Sequence, residues 1–130
     1  MEWLINDKEY ASVLSLPAPK RYEYFVKKVA DRGEMWSLWS TAGWVLAGDE
    51  SGNEAVPVWP HARFARAFAV GEWTGEARAI ELGAWMERWT PGMLKDHRLV
   101  AVFPTSGSKG MIIPPERLRD DLEKELSLYE

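Results

Sequence analysis

After Gly33 the hydrophobic period of the chain changes from 3.6 to 2, and the strands that follow are apolar on both faces. In Met35-Trp36-Ser37-Leu38-Trp39, Trp36 and Leu38 share one face while Met35, Ser37 and Trp39 share the other. In Trp44-Val45-Leu46-Ala47, Trp44 and Leu46 oppose Val45 and Ala47. A sheet wetted on one side alternates apolar with polar residues, so strands like these need cover on both faces or leave an aromatic patch in water. Eight tryptophans among 130 residues sharpen that choice. Each indole can take about 150–250 Å² out of water.

The helices available as cover are few. Asn6 and Glu9 have the spacing of an N-cap with a reciprocal glutamate, and Tyr10, Val13 and Leu14 fall on one face before Leu16-Pro17-Ala18-Pro19 ends the helix. Pro19 opens a second helix, with Tyr22, Phe25, Val26 and Val29 inward, Lys20, Arg21, Lys27 and Lys28 outward, and Gly33 as the left-handed stop. Pro60 starts a third, in which His61, Phe64, Ala65 and Phe68 share a face, Arg63 and Arg66 point away, and Gly71 closes the element. Leu82, Trp85, Met86 and Trp89 form a further stripe up to Pro91-Gly92, and a last helix from about Pro115 carries Leu118, Leu122, Leu126 and Tyr129. Its exposed pairs Arg117–Asp121, Arg119–Glu123 and Asp120–Lys124 have i, i+4 spacing.

Between these, Ser40–Gly43 and Asp49–Asn53 read as turns, and Ala55-Val56-Pro57-Val58-Trp59 as a third strand. Pro57 cannot donate to a ladder, which predicts an edge strand or a bulge there. Ala79–Leu82 is a brief strand or an extended entry segment, Leu99–Phe103 a central strand, Pro104–Gly110 a flexible hairpin loop, and Met111–Ile113 its return. The expectation is a single α+β domain over residues 1–130. It holds a mainly antiparallel sheet of about five strands, helices packed largely on one face, an N-terminal helical pair and a C-terminal helix.

Composition removes several functions. There is no cysteine and only two histidines, His61 and His97, so no thiolate metal site, cysteine nucleophile or histidine-rich zinc site is expected. A net charge of -4 lacks the basic face that nucleic acid requires. No 18-residue apolar run spans a bilayer, and the N-terminus lacks the basic and apolar regions of a signal peptide. The expected location is the cytoplasm, with no cofactor and no membrane.

Trp36-Ser37-Leu38, Gly43-Trp44-Val45-Leu46-Ala47 and Val56-Pro57-Val58-Trp59-Pro60 resemble a bacterial family labelled "domain of unknown function 2750". Gly71-Glu72-Trp73, the stretch Trp89-x-Pro91-Gly92 and Val100-Ala101-Val102-Phe103-Pro104 carry the same resemblance. It runs from about Arg21 to the C-terminus and implies a single-domain bacterial cytoplasmic protein, with no activity, cofactor or catalytic residue attached. The strand–turn–strand layout is also similar to SseB-like domains, an analogy of fold that transmits no function.

No Gly-x-Ser-x-Gly elbow or catalytic triad spacing is present. Asp49-x-Ser51-x-Asn53 fails as a calcium loop, since His61 falls where the bidentate glutamate belongs. Thr105–Gly110 lacks the spacing of a phosphate loop. The tryptophans are left. Trp39, Trp59 and Trp73, with Arg63 and Arg66 near in sequence, are the candidate binding residues of a non-enzymatic module that takes a protein partner or forms a homodimer. Two rivals stand beside it. One is a small-ligand binder or unusual hydrolase, with a pocket between the sheet and the Pro60–Gly71 helix, His61 as base and Arg63 or Arg66 on an anionic group. The other is an immunity or antitoxin protein whose acidity complements a basic toxin.

Overall fold

The computed structural model describes residues 4–41, 43–48, 51–69 and 75–129. Helix α1 (Asp7–Leu14) begins as its sequence requires: the Asn6 side chain accepts the Glu9 N–H at 2.8 Å. The Glu9 carboxylate serves a neighbour, accepting from the Tyr24 hydroxyl at 2.6 Å and so lashing α1 to α2 (Ala18–Arg32). Gly33 ends α2 at φ 75°, its N–H bonded to the Val29 carbonyl at 2.8 Å.

The α+β class holds, with the N-terminal helical pair and the C-terminal helix in place. The sheet is more divided than five antiparallel strands. Strand β1 (Glu34–Ser40) lies between β2 (Gly43–Trp44) and β5 (Glu76–Glu81), antiparallel to both. A second set runs in the order β3 (Ala47–Gly48), β4 (Glu54–Val58), β6 (Leu99–Val102), β7 (Met111–Ile113). In it β4 and β6 are parallel, while β3–β4 and β6–β7 are antiparallel. The parallel pair follows from the chain between them, which is long enough for a helical crossover, whereas β6 and β7 need only a hairpin.

Trp36 and Trp59 join the two sets by exchanging backbone hydrogen bonds of 2.8 Å in both directions. From that pair β1 and β4 diverge. The segment 43–48 bonds to β1 by its first half (Trp39 opposite Trp44, and Val45 N–H to the Leu38 carbonyl at 2.8 Å) and to β4 by its second (Ala47 opposite Ala55). Pro57 sits where the two strands have parted. Trp59, two residues on, turns its backbone groups to β1, so Pro57 also faces away from β6 and breaks no ladder bond. Its carbonyl is met by the buried Ser37 hydroxyl at 2.6 Å. The strand is therefore interior, and neither an edge nor a bulge is needed.

Helices α2 and α6 (Pro115–Ser127) pack on each other, α2 against β1 and β7 and α6 against β6. Phe25, Val29, Val58, Val100, Val102, Leu118 and Leu122 are fully buried in one hydrophobic cluster. Helix α3 (Ala62–Phe68) lies against β1 and β5. The Leu82 stripe does not stop at Pro91-Gly92: α4 (Leu82–Ala84), a π-helical turn (Trp85–Trp89) and α5 (Thr90–Lys95) run on without a break. The Trp85 carbonyl accepts both the backbone N–H and the hydroxyl of Thr90, the latter at 2.9 Å. The widened turn makes room for the Pro91 ring, which a regular α-helix would drive into the carbonyl four residues back. Among the described residues, no helix is long and apolar enough to cross a membrane.

Ser37→Ala leaves the buried Pro57 carbonyl without its donor. We expect a loss of about 1–3 kcal/mol in urea denaturation at unchanged m-value, and an unshifted midpoint would contradict this account of the fork. Two phenols set an alkaline limit. Tyr22 donates to Asp121 and Tyr24 to Glu9, and both are raised well above the ordinary value of 10.0, first by burial and then by those carboxylates. The unfolded chain loses these protons near that pH while the folded chain keeps them, so stability is intact below it and falls as pH rises beyond it. Replacing both tyrosines by phenylalanine should flatten the alkaline limb of a stability–pH curve; an unaltered slope would refute it.

Candidate functional site

The β1–β2 hairpin places Trp39 opposite Trp44, with rings edge to face at 5.1 Å and 84°. Trp44 meets Trp89 of the π-helical turn at 4.8 Å and 75°, and Trp89 stacks on Trp85 at 5.5 Å and 21°. Four indoles thus form a continuous tier. Trp85 is sealed at its inner end, while Trp89, Trp44 and Trp39 are half-buried. The guanidinium of Arg78, on β5, stands 4.9 Å over the Trp39 ring and pairs with Glu76 at 3.4 Å. Beside the tier is a depression of about 550 Å³ walled by Trp44, Leu46, Trp89 and Met93, with Arg88 and Arg98 also lining it. The Trp85 Nε1–H is buried with no acceptor among the described residues, a debt of about 1–3 kcal/mol carried inside the tier.

A second depression, about 510 Å³, lies between the end of α3 (Ala67, Phe68), the sheet (Ala47, Ala101, Ile112) and the loop 104–109. That loop is tied by hydrogen bonds within itself and to α2. Thr105 and Ser108 exchange backbone hydrogen bonds of 2.8 and 3.2 Å. Arg21 reaches it from α2, donating from Nε to the Phe103 carbonyl at 3.2 Å and from Nη2 to the Ser108 hydroxyl at 2.8 Å, while Nη1 holds the Leu16 carbonyl at 2.6 Å. At 3% exposure Arg21 is inside, not on the outer face expected for it, and burial lowers its pKa from the ordinary value. Its position one turn ahead of Phe25 places it on the buried stripe. Phe103 holds φ 58°, a left-handed conformation that costs a bulky residue about 1–3 kcal/mol. Gly110 takes φ 76°, and a Cβ there would come within 2.4 Å of the Val102 carbonyl oxygen.

The residues singled out from sequence are scattered. Trp59 is fully buried, its Nε1–H donating to the Pro104 carbonyl at 2.8 Å and its ring 5.2 Å from Phe68, so it belongs to the core and not to a docking face. Trp39 stands in the tier. Trp73 lies outside the described residues, as do Asp49 and Glu50 of the turn. His61 caps α3, its Nδ1 accepting the Arg63 N–H at 3.0 Å. It does not line the cavity between α3 and the sheet, which opens at the other end of that helix. Arg63 bonds Asp7 at 2.7 Å and covers the Tyr10 ring at 3.9 Å, tying α3 to α1. Arg66 is exposed and lines neither depression, and His97 is an exposed turn residue at φ 56°. What the sequence reading missed is Trp44 with Trp89, brought together by the fork and the π-helical turn, and Arg21 with Ser108, which are 87 residues apart.

A family model described as "Protein of unknown function (DUF2750)" matches residues 22–122. The chain belongs to this DUF2750 family. The match takes in both depressions and begins after Arg21, so the DUF2750 segment holds the loop while its brace lies one residue before it. Searches of curated proteins and of solved structures found no match.

Arg21→Met keeps bulk but leaves the Leu16 and Phe103 carbonyls without their donor. Amide exchange at residues 105–110 should quicken by at least about tenfold, the equivalent of one lost charge-assisted hydrogen bond. Unchanged exchange there would mean that the brace does not hold the loop.

Proposed function

We propose that the chain is a non-enzymatic binding module that engages a protein partner, or a second copy of itself, through the outer edge of the Trp39–Trp44–Trp89 tier. The observation that carries this reading is the arrangement of three half-buried indoles ring against ring, beside a depression lined by Leu46 and Met93 and by the charged Arg88, Asp96 and Arg98. Rings held by one another lose little freedom on docking, and tryptophan and arginine are favoured interface anchors. Arg78 on the outer ring and Arg88 near the inner one supply the polar rim. In this reading it acts as a single domain in the bacterial cytoplasm, as its balanced charge and lack of cysteine suit.

The hydrolase reading loses its base, because the Nδ1 of His61 is engaged in capping and the ring does not line the cavity. Trp39→Ala tests the module. If the wild type self-associates in sedimentation, the variant should do so about thirtyfold more weakly, a hot-spot loss. If it takes a partner from its own cell extract, the variant should lose that partner by the same factor. Identical sedimentation and identical captured proteins, with thermal unfolding unchanged, would end the proposal.

A further inference from the structure

Strand β5 has β1 on one side and, among the described residues, no strand on the other. The direction of its backbone groups follows from the ladder. Trp36 exchanges both backbone bonds with Trp59, and the Leu38 carbonyl accepts from Val45, so these two residues turn away from β5. Met35, Ser37 and Trp39 therefore bond to their partners Ile80, Arg78 and Glu76, and the Leu82 N–H meets the Gly33 carbonyl in step with them. Ala77, Ala79 and Glu81 point their N–H and carbonyl groups the other way. Among the described residues no hydrogen bond reaches the outward groups of Ala77 or Ala79. Glu76, Arg78, Ala79 and Glu81 are exposed, and helix α3 touches the strand without covering their side chains. An edge of this length without proline or lysine is a template for another strand.

We propose that β5 pairs antiparallel with β5 of a second copy of this chain, about a two-fold axis at Ala77. Each Ala77 then exchanges both backbone bonds with its counterpart, and each Ala79 falls opposite Gly75 of the other copy. Charge selects this register. An axis at Arg78 sets two guanidiniums directly opposite, and one at Ala79 makes them diagonal neighbours while drawing each glutamate away. An axis at Ala77 places each Glu76 opposite Arg78 of the second copy, at a pair without backbone bonds, where side chains come closest. The intrachain pair of Arg78 with Glu76 is loose at 3.4 Å and can stay, since a guanidinium has donors enough for two carboxylates. The junction is made by backbone groups and does not rest on the indole tier.

Sedimentation equilibrium of the full chain tests it. The wild type should form dimers and nothing larger, because a two-fold junction closes on itself. Ala77→Pro removes the donor at the axis. Ala77 bonds nothing in β1, so this variant should melt as the wild type does and dimerise at least about thirtyfold more weakly. Glu76→Arg or Arg78→Glu alone should weaken the dimer about tenfold. An equal mixture of the two should recover it as a heterodimer, because opposite charges again face each other. If Ala77→Pro lowers the melting temperature, the mixture decides alone. A dimer that survives Trp39→Ala but not Ala77→Pro supports this junction while going against self-association through the tier. A wild type still monomeric at about 1 mM, a folded Ala77→Pro that dimerises as before, or a mixture no tighter than its components would each overturn the proposal.

Discussion

One pair of backbone hydrogen bonds, between Trp36 and Trp59, decides how the two strand sets meet. Had β1 and β4 paired along their whole length, Pro57 would have left a gap in an interior ladder. Because they touch only there and then splay, the proline costs nothing, and the Ser37 hydroxyl takes the carbonyl that the gap exposes. The same divergence admits segment 43–48, which brings Trp44 against Trp89. Trp59 extends the constraint through its side chain. Its indole N–H fixes the Pro104 carbonyl and its ring backs Phe68, so one residue ties the fork, the start of the hairpin loop and α3.

A second constraint is Arg21. A guanidinium taken out of water is costly, and here it faces carbonyls and a hydroxyl rather than a carboxylate. Three charge-assisted hydrogen bonds and the Phe103 ring, 5.8 Å from its carbon, offset that cost. The left-handed turn at Phe103 persists because the surroundings over-determine it. The ring is locked against Phe64 at 4.7 Å and Tyr24 at 6.4 Å, and the carbonyl is held by Arg21. Strain retained in that way sits at the entry to the 104–109 loop.

What was legible in the sequence is what neighbours along the chain decide. The Asn6 cap, the Gly33 stop, the β6–β7 hairpin and the helix from Pro115 are all settled within a few residues of themselves. Pro57 and Pro91 misled for one reason. Each is read locally as a break, yet each is absorbed by something local pattern does not display, a strand divergence in one case and a π-helical turn in the other. Arg21 misled differently: charge suggested the wet face, although its spacing from Phe25 placed it on the dry one. The expectation of uncovered indoles was half met. Both faces of β4 and β6 are buried, Trp59 and Trp85 are sealed, and Trp36, Trp39, Trp44 and Trp89 keep an edge toward water.

The two depressions therefore differ in how they are prepared. In the tier the side chains are large, polarisable and held by one another, and the Trp85 Nε1–H at its inner end meets no acceptor among the described residues. At the groove one hydroxyl, that of Ser108, accepts from a buried cation and a glycine amide. The first arrangement suits broad contact with another surface, since its gain comes from area and from low entropy loss. A fold that keeps a left-handed glycine, a strained phenylalanine and a buried arginine around one serine holds that loop by groups far apart along the chain.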